Sequence, residues 1–266
     1  MSRDRNPPTA LTTAAAPPSR ARLRSIGLVS LLAGLCPLIP LPFIDDWLES
    51  VVRRRAVRDL LRRRGLEPTP GDVEILAGLE RPGATGCLKK ALLWPLFKLF
   101  FYLLKKLYRK ILYFLAVNDG VNTASSLFHD AWLLAVALDR GALDVPAGER
   151  IDRDRAREVR AAMETVVAGA DRRPLERAVR RAFRGSFRAL SAAARRLGRW
   201  GKSERKATGS GEAAQEQAAD DLPVADEERR LSGMVDRLVD AVQLESGYLE
   251  GLEERFVALL EEKRDR

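Results

Sequence analysis

Residues that carry chemistry are scarce in this chain of 266. It holds one histidine, His129, and two cysteines, Cys36 and Cys87. A single imidazole removes most hydrolytic and metal chemistry. Two thiols at or within apolar runs make neither a disulfide framework nor a metal-ligand spacing, and both read as reduced core residues. No stretch alternates with period two for long enough to make a strand, so the chain reads as all-α. There is no internal repeat.

The nearest approaches to a reactive motif fall short. Gly83-Ala-Thr-Gly86, followed by Lys89 and Lys90, lacks the spacing of a phosphate-cradling loop and has no strand before it; it reads as a turn into the next helix. His129 and Asp130 are sequence neighbours, which on a helix point about 100° apart rather than converging on one atom. Asp152 and Asp154 lack the further ligands and the glycine of a calcium loop. The sequence therefore gives no catalytic residue, no cofactor and no metal ligand.

What the chain has is concentrated. Eight of its seventeen aromatic residues lie between Trp94 and Phe114, and six of its nine lysines lie between Cys87 and Asn118. On a helix Lys98, Lys105, Lys106, Arg109 and Lys110 share one face with Tyr102 and Tyr113, while Trp94, Phe97 and Phe101 belong to the aromatic surface beside it. Lysine stems lying on apolar surface with ammonium groups outward, and tyrosines with polar tips, suit a membrane interface; a bundle centre is the competing reading.

A second apolar stretch runs from Ser25 to Ile44 without a charge. Its length matches a membrane span, but Pro37, Pro40 and Pro42 break it. Arg20, Arg22 and Arg24 on one side and Arg53, Arg54, Arg55 and Arg58 on the other favour the same membrane face. The expectation is a re-entrant hairpin at the cytoplasmic face. A secretory lipoprotein leader fits less well, because Leu35 stands where a small residue belongs and the segment before the apolar run is long.

The remaining chain divides by composition. Residues 1–24 read as a disordered tail, 25–141 as a hydrophobic membrane-associated helical region, 142–200 as basic amphipathic helices, 201–226 as a flexible linker and 227–266 as an acidic heptad-patterned helix. Asn118-Asp119-Gly120 signals a turn that would fold the aromatic helix against Val121–Leu138, an αα-hairpin at the centre of a helical bundle. Leu175, Val179, Ala182, Phe183, Ser186, Leu190, Ala194 and Leu197 give one amphipathic stripe with an arginine-rich outer face. Leu231, Val235, Leu238, Val242, Leu249, Leu252, Phe256 and Leu259 follow 4,3 spacing, a seam for coiled-coil association.

Charge also segregates. Residues 172–206 carry thirteen Lys/Arg against two acids, and 212–266 carry sixteen acids against seven Lys/Arg. Two such segments can pair within the chain. The sequence thus predicts a non-catalytic, membrane-associated helical protein that acts through helix insertion and partner binding. Its partners would be membrane lipids, with anionic headgroups fitting the cationic stripe, and a protein or a second copy at the C-terminal helix. Nucleic-acid signatures are lacking. The alternative is a soluble all-α scaffold or regulator with a coiled-coil association helix.

Overall fold

The computed structural model describes residues 19–39, 44–80, 109–144 and 150–264, with the side chains of 109–114, 187 and 246 excepted. Among them the chain is all-helical, with ten α-helices, one 3-10 turn and no strand. In order these are α1 (Arg20–Leu35), the 3-10 turn Cys36–Leu38, α2 (Ile44–Arg63), α3 (Pro70–Leu76), α4 (Arg109–Asp139) and α5 (Arg153–Ala168). There follow α6 (Arg173–Phe183), α7 (Phe187–Thr208), α8 (Glu212–Asp221), α9 (Val224–Gln243) and α10 (Ser246–Arg264).

Local chemistry explains most boundaries. The Ser19 side chain accepts from the Arg22 N–H and caps α1, and Pro37 turns its end into the 3-10 segment. Thr69 and Asp72 form a reciprocal capping box around Pro70 at the start of α3. Asp152 caps α5 by accepting from the Asp154 N–H at 3.0 Å. Gly65 and Gly141 stop α2 and α4 at positive φ.

The core is organised around α1. From Ile26 to Cys36 every residue is buried, so the helix is apolar on all sides and needs cover on all sides. α4 forms its most extensive contact, α9 and α2 cover two further sides, and α7 touches it. α6 closes over α4 and α9, α5 and α10 pack on the far part of α4, and α3 bridges α2 and α5.

Four sequence expectations are corrected here. Residues 20–24 are the first turns of α1 rather than the end of a disordered tail. No turn occurs at Asn118-Asp119-Gly120, which lies inside the continuous 31-residue helix α4, so the αα-hairpin is not formed there. Gly120 serves close packing instead: a Cβ on Gly34 of α1 would lie 2.7 Å from the Gly120 carbonyl oxygen. The single stripe from Leu175 to Leu197 is two helices, split at Gly185 with φ +74°.

The fourth concerns 201–226, which is largely helical rather than linker. Its first glycine, Gly201, is a contact position where a Cβ would meet Leu48 at 2.8 Å, as one on Gly198 just before it would meet Ile39 at 2.9 Å, whereas Gly209 and Gly211 face open space. α8 is poor in large apolar residues and is held to α2 largely by charge. Arg54 and Arg58, 3% and 4% exposed, pair with Glu216, Arg58 and Arg62 pair with Asp220, and Arg55 donates to the Ala219 and Asp220 carbonyls.

Candidate membrane and association surfaces

Trp94, Phe97, Lys98, Phe101, Tyr102, Lys105 and Lys106 lie outside the described residues. Arg109, Lys110 and Tyr113 sit on the first turns of α4, whose backbone is described but whose side chains there are not. Where side-chain description resumes, Leu115 is half exposed, one of two large exposed apolar residues among those described. α4 becomes buried from Gly120 onward. Around Leu115, α4 is thus still exposed where its side chains are described.

The Ser25–Ile44 run has a different setting. Arg20–Leu38 is the one described helical stretch long and apolar enough to cross a membrane by length and composition, and two thirds of it is buried in protein. The arginines read as orientation signals are engaged by acids. Arg20 pairs with Asp240 at 2.8 Å, Arg22 with Asp139 at 2.5 Å, and Arg24 with Asp236. On the other flank Arg53 bridges Glu49 and Asp130, both at 3.0 Å. A helix packed against α4, α9, α2 and α7 has little free face for lipid, so this arrangement does not support a re-entrant hairpin at Ser25–Ile44. Sequence alone could not separate the cases, because a core helix and an inserted helix are equally apolar all round.

The seam residues are gathered, but inward and on two helices. Leu231, Val235, Leu238 and Val242 on α9, and Leu249, Leu252 and Phe256 on α10, are each at most 3% exposed, and Leu259 is half-buried. The chain breaks at Leu244-Glu245, at the one polar seam position, where Glu245 reaches Arg177 at 3.5 Å. Beyond the break α9 covers α1 and α6, whereas α10 covers α5 and α4. The 4,3 spacing therefore serves this chain's own core and leaves no coiled-coil stripe exposed. α9 does dock on the basic segment, through α6 and through Arg196, whose guanidinium makes two 2.8 Å bonds to Glu227.

His129 is fully buried in α4. Its Nε2 is hydrogen-bonded to the Tyr248 hydroxyl of α10 at 2.7 Å, with the rings edge to face. Burial pulls the imidazole down to about 4 and pushes the Tyr248 phenol up to about 12, so both are neutral at pH 7. Asp130 points away and binds Arg53 and Arg160. The pair joins α4 to α10. Among the described residues no cluster of three metal-ligating side chains occurs.

A groove of about 340 Å³ lies between α1, α2 and α9, with Ile26, Val29, Leu60 and Val224 in its walls. Three of the four charges along it are engaged: Arg63 donates to the Ser25 hydroxyl at 2.7 Å, Arg24 binds Asp236, and Asp59 binds Arg55 at 2.9 Å. Comparison of the chain with models of protein families, with curated proteins and with solved structures finds no match.

Proposed function

We propose that the chain is a non-catalytic helical protein working at a membrane surface, with a folded helical body held there by the stretch Cys87–Phe114. The observation that carries this reading is the contrast between the two apolar stretches. Ser25–Ile39 is enclosed by the body, so the apolar surface left for a bilayer is the aromatic and lysine-rich stretch leading into α4. Tyrosine and tryptophan beside lysine match the headgroup boundary, where an apolar ring and a polar or charged tip are both satisfied. The body itself stays in water on the cytoplasmic face.

The test is fractionation of the expressed full chain, with high-salt and then alkaline washes of the membrane pellet. Retention through high salt is expected, since apolar insertion survives screening that releases electrostatic adsorption. Recovery of most of the protein as a detergent-free soluble monomer overturns the reading.

A second reading, a soluble all-α scaffold, draws support from the burial of α1, which removes one of the two reasons for invoking a membrane. The same fractionation separates the two.

A further inference from the structure

The acidic C-terminal third leaves most of the preceding basic segment unneutralised. From 172–206 Arg177 and Arg196 pair with it, at Glu245 and Glu227. Several of its acids turn elsewhere: Asp236 and Asp240 to Arg24 and Arg20, Glu216 and Asp220 to the arginines of α2, and Glu253 to Arg140.

On α7 this leaves Arg188, Arg195, Arg199, Lys202 and Lys206 exposed, with no hydrogen-bond or carboxylate partner among the described residues. Their spacing is i, i+7, i+11, i+14 and i+18. At 100° per residue they fall within an arc of about 60°, along about 27 Å of helix. We propose that this stripe is an electrostatic contact for an anionic bilayer surface, taking phosphate headgroups beside the insertion stretch; it rests on the membrane reading above.

Position in the fold supports the assignment. Gly198 of α7 packs against Ile39, directly after the turn that touches α4, and Gly34 before that turn meets Gly120. Arg180 at the end of α6 donates to Asn118 at 2.6 Å. The middle of α7 therefore lies by the 3-10 turn, next to the part of α4 that holds Asn118 and Gly120, ahead of which the chain leads back to the aromatic stretch.

The form of the stripe favours a headgroup layer over nucleic acid. It is straight, and Ser191 and Ala192, which border its arc between Arg188 and Arg195, are small. Trp200, which a strand-binding surface would present for stacking on bases, packs against Trp47 instead, with ring centroids 6.3 Å apart.

Each basic residue near an anionic surface is worth roughly fivefold in partitioning, so three removed together cost on the order of 100-fold. The experiment uses the full chain and vesicles of phosphatidylcholine, alone or mixed with phosphatidylglycerol, at low and high salt. The variant is Arg195→Gln/Arg199→Gln/Lys202→Gln; a control carries Arg64→Gln/Arg229→Gln/Arg264→Gln; matched circular dichroism verifies folding.

The wild type should bind phosphatidylcholine and gain strongly from phosphatidylglycerol. The stripe variant should lose on the order of 100-fold of that gain and its salt dependence, with phosphatidylcholine binding unchanged. The control should keep most of the gain. A wild type that binds phosphatidylcholine but gains nothing from phosphatidylglycerol overturns the stripe and leaves the insertion reading standing. A gain that the variant keeps overturns it equally, as does a variant that loses binding only to a labelled oligonucleotide. Binding to neither vesicle overturns both readings.

Discussion

Gly34 of α1 and Gly120 of α4 meet backbone to backbone. A Cβ on either would press against the other's carbonyl oxygen, and one on Gly34 would also approach Ala124 Cβ at 2.9 Å. This contact lets the two most apolar helices of the body approach closely. Gly34→Ala should therefore destabilise the protein by about 1–3 kcal/mol in urea unfolding, although alanine is the better helix former by about 1 kcal/mol. Gly233→Ala on α9, where nothing lies within 4 Å, should instead stabilise by about 0.5–1 kcal/mol. Equal effects at the two positions would deny the close contact.

Acid should weaken the fold through His129. Its folded pKa of about 4 lies below the usual 6.5, so the unfolded chain binds the extra proton first. Stability from this group is present above pH 6.5 and is lost as pH falls towards 4, by about 3 kcal/mol in all. Unfolding midpoints of wild type and His129→Gln, measured across that range, should converge as pH falls. Parallel curves would mean that the imidazole is not sheltered.

The charge cluster between α2 and α8 should be asymmetric. Glu216→Ala removes a partner from both Arg54 and Arg58, leaving buried guanidinium groups short of neutralisation, and should cost about 3–5 kcal/mol. Asp220→Asn acts at a carboxylate 46% exposed and should cost about 1 kcal/mol or less. Denaturant midpoints for the two variants check this, and a larger loss at Asp220 would contradict the burial.

The seam makes a test of internal use. Leu252→Asp should destabilise the whole body by about 2–5 kcal/mol or more, whereas Glu254→Gln, on the exposed face of α10, should stay within about 0.5 kcal/mol. A variant Leu252→Asp that keeps its unfolding midpoint and loses only self-association would restore a coiled-coil role.

The helical class and the buried stripes of α6 and α9 were legible because each depends on local periodicity. What escaped depends on partners distant in the chain. Gly120 beside Asn118 and Asp119 carries the composition of a turn, and only Gly34, far away in sequence, makes it a packing position. Residues 201–226 look like linker by apolar content, because α8 is retained largely by arginines of α2 rather than by its own side chains. The cationic face was visible as composition, but its outward stripe was not. Gly185 divides the helix, and Arg196 turns inward to Glu227, while Arg195 and Arg199 stay out.

Enclosure of α1 has a consequence for biosynthesis. Its cover on one side is α9, about 200 residues later in the chain. At synthesis rates of about 5–20 residues per second, the side of α1 that α9 covers is left without it for roughly 10–40 s. Until α9 is made, that apolar side of α1 has to be sheltered by something other than its native partner.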